Sequence, residues 1–402
     1  MKAASNNSYI SKTRIGVLAV SSMGMAALAI TPSYAAIAKN FALSNTDVQM
    51  LTSFPNLFMM IAGLLMGRLT ATKINIKTLT LVMIALTGIG GLLPLVYNTN
   101  FIFLVICSCL VGLGQGACTN LSQVLISQML PSTEQQSTMG LTTTFTNLGG
   151  IIFIMGGGQL AAGSNWINNY WIYLFAVLDF IIVLCLVPFK PLAVNEESEQ
   201  KVSDANEKIK INKYVFYSAF WAFCTMLLNN VLNNNIAIFI TEKHLGSTSQ
   251  AALTSTISLI GGLLCGFIVG KIGKKFKYSS IALALLLYGL SYLLIGFGST
   301  LITVLIGSFV VGAAMSIAMG QFAYLISTVV NKKSVSMALG VYQAINPIGG
   351  VISPFVVNPL TNIFHGATNV FIVSGVLALI LSGIAILGHY QKNMVAHQIK
   401  VN

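Results

Sequence analysis

Twelve apolar runs, most of them about twenty residues or longer, follow one another down this chain with only short polar breaks. They lie near 15–38, 47–70, 78–97, 100–129, 138–162, 168–188, 213–240, 249–270, 279–297, 300–329, 335–360 and 369–389. Coiled as an α-helix, such a run matches the hydrocarbon thickness of a bilayer, and in lipid a helix satisfies its own backbone polar groups. Charge excludes a soluble core. Only 7% of the 402 residues are charged and 55% are hydrophobic, against about 25% charged in a soluble domain. The expected fold is an all-α polytopic membrane protein of twelve transmembrane helices. The first run follows Lys2, Lys12 and Arg14 and ends in Ser33-Tyr34-Ala35-Ala36, imitating a secretory signal. Its length and the eleven runs behind it read better as a first span.

The longest polar stretch, 189–212, carries Glu196, Glu197, Glu199, Lys201, Asp204, Glu207, Lys208 and Lys210, and divides six spans from six. It reads as a linker, leaving an N-terminal half over 1–188 and a C-terminal half over 213–402. The halves repeat each other at an offset of 200. Leu125-Ile126-Ser127 recurs as Leu325-Ile326-Ser327, Gly112 as Gly312, Gly140 as Gly340, and Gly149-Gly150 as Gly349-Gly350. Near the second spans the register drifts, and Gly63-x-x-x-Gly67-Arg68 corresponds to Gly266-x-x-x-Gly270-Lys271. The expectation is a parallel duplication, two pseudo-symmetric six-helix halves.

A net charge of +12 could suggest nucleic acid, but its distribution reads as membrane topology, and no nucleic-acid partner is expected. With twelve spans, every basic residue except Lys39 and Lys243 falls on one side, together with both termini and the linker. The positive-inside bias makes that side cytoplasmic, in a multi-pass cell-membrane protein. The six cysteines lie inside apolar runs without metal-ligand spacing, and read as buried hydrophobes. No phosphate-cradling Gly-x-x-x-x-Gly-Lys-Ser/Thr and no nucleophile–base pair occurs, so neither ATP hydrolysis nor an enzymatic activity is expected, and no cofactor or metal.

With its six-plus-six layout, its linker and the loops after spans two and eight, the chain resembles the major facilitator superfamily of secondary transporters over essentially its whole length. The family's loop signature reads roughly Gly-x-Leu-x-Asp-Arg/Lys-x-Gly-Arg/Lys-Arg/Lys. Gly266, Lys271, Gly273, Lys274 and Lys275 match it in the second half, and Gly63 and Arg68 in the first. Gly270 and Gly67 stand where the Asp would be, and Thr70 replaces the second Gly of the first copy. The resemblance assigns these loops to gating. Without the Asp, a lock there must use backbone or neutral groups. Two drug-exporter signatures are incomplete: Ser108 replaces an Arg ahead of Gly112-Leu113-Gly114-Gln115-Gly116, and span five is Gly-rich without proline.

The resemblance implies a cavity lined by spans one, four, seven and ten, with two, five, eight and eleven beside them, and makes their polar residues candidates for substrate contact. Span four offers Gln115, Thr119 and Gln123 on one helical face with Ser122, and span five offers Asn147 with Thr143 and Thr146. Span seven offers Trp221, Asn229 and Asn233 on a stripe with Thr225, and span eleven Tyr342, Gln343 and Asn346 ahead of Pro347. Met315 and Met319 of span ten, with Phe322, form a pliable apolar wall. Neutral polar residues also serve as interhelical glue, and methionine stripes as packing.

Of the nine acidic residues only Asp179 sits mid-span, in span six. Charge at that depth costs about 2.5–3.5 kcal/mol, so Asp179 is the proton-coupling candidate, with a structural role as the alternative. Lining helices without fixed charge suit a neutral or amphipathic organic solute. The expected function is a monomeric secondary carrier working by alternating access, foremost a proton-driven exporter of such compounds resembling Gram-positive permeases. The alternative is an uptake or exchange carrier for a sugar, nucleoside or amino acid.

Overall fold

The computed structural model describes residues 2–43, 48, 50–70, 74–161, 165–189, 211–246, 248–331, 334–364 and 367–401. Lys73, Lys332, Lys333 and linker residues 190–210 lie outside these. Eleven described helices are long and apolar enough to cross a membrane. The bent pair Leu253–Gly266 and Val269–Lys275, turning by 60°, makes a twelfth span.

The helices are α1 (Lys2–Ser22), α2 (Tyr34–Phe41), α3 (Met50–Leu69), α4 (Ile76–Val96), α5 (Phe101–Met129), α6 (Ser132–Ile151), α7 (Gly157–Ala161) and α8 (Leu174–Leu186). After the linker come α9 (Lys213–Glu242), α10 (Thr248–Gly266), α11 (Val269–Lys275), α12 (Ser280–Phe297), α13 (Leu301–Thr328), α14 (Val335–Phe364), α15 (Ala367–Leu387) and α16 (Tyr390–Val401). Several starts are written locally. Asn75, Asn100 and Thr300 sit extended just before α4, α5 and α13, and each side chain accepts a backbone N–H of the first turn. Asn212 does the same for Tyr214 and Val215 at the head of α9.

Besides the bent span eight, three described spans depart from continuous α-helix. Span one passes from α1 into a 3-10 stretch, Met23–Ser33, with Met25 off the helical region at φ −131°, ψ 21°. Span five carries a π turn, Ile152–Gly156, between α6 and α7, and span six opens with 3-10 turns over Trp166–Tyr173. Such departures at membrane depth need side-chain partners for the freed backbone.

Two compact units divide the chain. Unit one comprises Met1–Thr138, Phe145–Ile211 and Lys332–Ala344; unit two comprises Met139–Thr144, Asn212–Asn331 and Ile345–Asn402. Within unit one, α3 and α4 pack on α5, and α4 on α8. Unit two repeats the pattern: α10 and α12 pack on α13, and α12 on α15.

The sequence repeat is a repeat of contacts. A methyl added to Gly112 would overlap the backbone of Pro55 on α3, and one on Gly312 the carbonyl of Ser258 on α10. Likewise a methyl on Gly149 would overlap the carbonyl of Ser22, and one on Gly349 that of Phe223. In lipid, helix association rests on such close packing rather than on a hydrophobic driving force.

Candidate functional site

The broken first span is held by side chains from its neighbours. Gln115 of α5 accepts the Ala27 N–H at 2.7 Å through Oε1, and its Nε2 lies 2.9 Å from Met59 Sδ. The Tyr173 hydroxyl donates to Ala26 O at 2.9 Å, Thr146 donates to Ser21 O at 3.0 Å, and Asn169 Nδ2 donates to Ser33 Oγ at 2.9 Å. Backbone and side-chain groups in and beside the 3-10 segment are thus bonded by spans four, five and six. Gln115→Leu removes the acceptor and leaves the Ala27 N–H unpaired, so the melting free energy in detergent should fall by about 1–3 kcal/mol. A melt identical to wild type would show that another group takes over.

At the upper edge of this break sits Asp179 on α8, buried. Ser22, the last residue of α1, places its Oγ 2.6 Å from Asp179 Oδ2 and 2.7 Å from Ala19 O. Cys118 of α5 lies within electrostatic range of the carboxyl. Lys77 of α4, which packs on α8, has its ammonium spent on Leu184 O at 2.7 Å and on the Phe189 ring at 4.0 Å. Asp179 is therefore tied to the hinge of span one rather than to a cation.

The other span-four candidates stay near this region. Thr119 is half-buried and donates to Gln115 O at 2.9 Å, while Gln123 is buried and lies 3.5 Å from the Gln343 amide. Asn120 is fully buried with neither Oδ1 nor Nδ2 hydrogen-bonded. Gly112 meets Pro55 and Gly116 meets Met59 on α3. Asn147 is half-buried on α6, and Tyr342 is buried near the start of α14.

In unit two, Asn229 accepts from the Tyr288 hydroxyl at 3.2 Å, and Asn230 donates to Met226 O at 3.0 Å beside Gly350. Asn346 is buried; its Nδ2 lies 3.8 Å from Met319 Sδ, and its Oδ1 is without a partner. Met315 and Met319 are half-buried, Phe322 fully. The span-seven stripe separates by environment. Asn233 is exposed, and the Trp221 ring packs 5.8 Å from Tyr390 on α16.

The loop residues divide in the same way. Arg68, Lys271, Lys274 and Lys275 are exposed, while Gly63, Gly266 and Gly273 are buried. In unit one, a methyl on Gly340 would overlap the Gly63 carbonyl, and Thr70 and Ser336 share a hydroxyl hydrogen bond. In unit two, Gly140 packs on Val269 and Gly270, and Thr144 donates to Leu263 O at 3.0 Å. Both sets of contacts use neutral and backbone groups. The sequence reading missed Ser22, Asn169, Tyr173 and Tyr288. For the first-span break, the signals were Ser21-Ser22, Gly24 and Pro32.

Comparison with known proteins agrees with this architecture. The Major Facilitator Superfamily profile matches the chain twice, over residues 16–233 and 218–394. A Bacillus subtilis protein named Hexuronate transporter is 24% identical over 336 residues, 76% of either chain. The cis,cis-muconate transport protein of Acinetobacter baylyi is 22% identical over 261 residues, 60% of this chain and 62% of its own. Among solved structures, FucP, a Major Facilitator Superfamily transporter in the outward conformation, superposes with a TM-score of 0.74 at 15% identity. That match covers 94% of this chain and 99% of FucP. The human organic anion transporter MFSD10 gives 0.73 at 13% identity, with the same coverages. With both halves matched by the family profile and both repeated in the packing, the chain belongs to the Major Facilitator Superfamily: it is a secondary transporter and not an enzyme.

Proposed function

We propose that the protein takes up a small hydroxylated organic acid, of the sugar-acid type, together with a proton. The observation that carries this reading is unspent hydrogen-bonding capacity at membrane depth: both ends of Asn120 in unit one and Oδ1 of Asn346 in unit two are buried without partners. Such groups are costly in lipid unless a polar ligand or water answers them in some state of the cycle. An apolar or lipophilic cargo would leave them unanswered, so the nutrient reading is favoured over export of an amphiphile. The named substrates of two relatives, a hexuronate and cis,cis-muconate, are carboxylates, which adds to this reading.

Among the described residues no lysine or arginine is hydrogen-bonded to Asn120 or Asn346, so a carboxylate bound by either amide depends on N–H donors and on a proton moving with it. Asp179 is the group proposed to hold that proton. A single Ser22 hydroxyl hydrogen cannot serve both Ala19 O and the carboxylate. The arrangement is complete when Asp179 donates to Ser22 Oγ and Ser22 donates to Ala19 O.

Transport into proteoliposomes under an imposed pH gradient tests the reading, with glucuronate, muconate, a neutral hexose and a lipophilic cationic dye as solutes. Proton-driven glucuronate or muconate accumulation is expected; dye transport without either acid would overturn it in favour of export. Asn346→Leu should raise the half-saturation concentration of the transported acid about tenfold, the equivalent of one lost hydrogen bond. An unchanged value would remove Asn346 from the binding set.

A further inference from the structure

A cavity lies in unit two, at the end of the bundle where α9 begins and α15 ends. It has a volume of about 400 Å³, with Lys213, Tyr217 and Trp221 on one side and Ile384, Tyr390 and Asn393 on the other. Nothing in the transport reading uses it.

Its far wall is α16, which turns back from α15 at His389, a residue at φ 48°. That helix is pinned. Gln391 accepts the Ile281 N–H at 3.1 Å and donates to Lys277 O at 3.0 Å and to Ser280 Oγ at 2.7 Å. The Tyr390 hydroxyl donates to Ser218 Oγ at 2.9 Å, and Met394 and Val395 are buried. The cavity is thus preformed, with a fixed floor.

Its chemistry is graded. Lys213 is exposed at the rim, with its ammonium 5.5 Å from the Tyr214 ring centre. No described acid neutralises it: Glu134 and Asp179 belong to unit one, and Glu242 lies at the opposite end of the 30-residue α9. Trp221 is buried, and Ile384, about half exposed, supplies apolar surface opposite it. On the outer face, Phe216, Tyr217 and Phe220 are about half exposed and Leu387 is 80% exposed. This is the aromatic and apolar composition of a membrane–water boundary.

We propose that this cavity binds the headgroup of an anionic phospholipid. Its phosphate would meet the Lys213 ammonium and the polar tips of Tyr217 and Asn393, and its first acyl carbons would run along Ile384 and Trp221. Basic pockets between spans at an interface suit such lipids, and the cation at the rim selects the anionic ones.

The test is a thermal melt of the full chain in detergent, titrated with dioleoylphosphatidylglycerol, dioleoylphosphatidylcholine or inorganic phosphate. Phosphatidylglycerol should raise the melting temperature in a saturable way, and the other two should not. Lys213→Gln should weaken the apparent lipid affinity about ten- to a hundredfold, the loss of one charge-assisted contact. Lys243→Gln, at the far end of α9, should keep wild-type affinity. Lys213 is exposed, so its replacement leaves the fold intact, and Lys213→Arg should restore binding. Equal shifts with phosphatidylcholine or phosphate, no shift with any of the three, or wild-type affinity in Lys213→Gln would each overturn the proposal.

Discussion

Asp179→Asn should abolish accumulation of the solute against its gradient while leaving exchange down a gradient intact. The amide keeps the size of the side chain and can still donate to Ser22 Oγ, so the junction of α1 with the 3-10 segment stays closed. What it cannot do is release and recapture a proton. One pH unit across the membrane is worth about 1.4 kcal/mol per proton, or roughly tenfold accumulation for a one-proton symporter. In the variant that ratio should fall to one, whereas counterflow of labelled solute into preloaded vesicles should continue near the wild-type rate. Undiminished accumulation would remove Asp179 from coupling; loss of counterflow as well would make its role structural.

An equally large effect is expected from Gly312→Leu, through packing rather than chemistry. The first carbon of the new side chain would already overlap the Ser258 carbonyl. To admit it, α10 and α13 must separate, which also breaks the 2.7 Å hydrogen bond from Ser316 to Gly262 O. Overpacking costs about 1–3 kcal/mol where a core can give way, and more where the obstacle is backbone. The expected outcome is loss of the monodisperse peak in detergent size-exclusion chromatography and no transport. Gly383→Leu is the matched control, since a methyl at Gly383 would touch nothing within 4 Å. Equal behaviour of the two variants would show that the glycine contact is dispensable.

The span count, the two-fold repeat and the family were all legible in the sequence, because each rests on something local. Apolar run length reports bilayer thickness, and glycine marks a backbone approach. The family loop signature sits within ten residues. The site was legible only in part. Among the amide candidates on the lining spans, Gln115, Gln123, Gln343 and Asn346 are buried, Asn229 is half-buried and Asn233 is exposed. Their partners were not foreseen, because Ala27 N–H and Met319 Sδ belong to other helices and carry no pattern of their own. Trp221 shows the limit of periodicity. It shares a stripe with Asn229, yet α16, a helix too polar to register as a span, covers one and not the other. Asp179 stood out by composition alone, but its attachment to the break in span one needed Ser22, an unremarkable serine in the sequence.

The glycine contacts also bear on ancestry. Gly112, Gly149, Gly312 and Gly349 each press against main chain: Pro55, Ser22, Ser258 and Phe223. Main-chain atoms are common to every amino acid, so the partner position is free to mutate as long as the glycine stays. Each such contact leaves one inherited letter where a side-chain pair would leave two. After the duplication, the two copies could therefore lose most of their shared spelling while the helices kept their places.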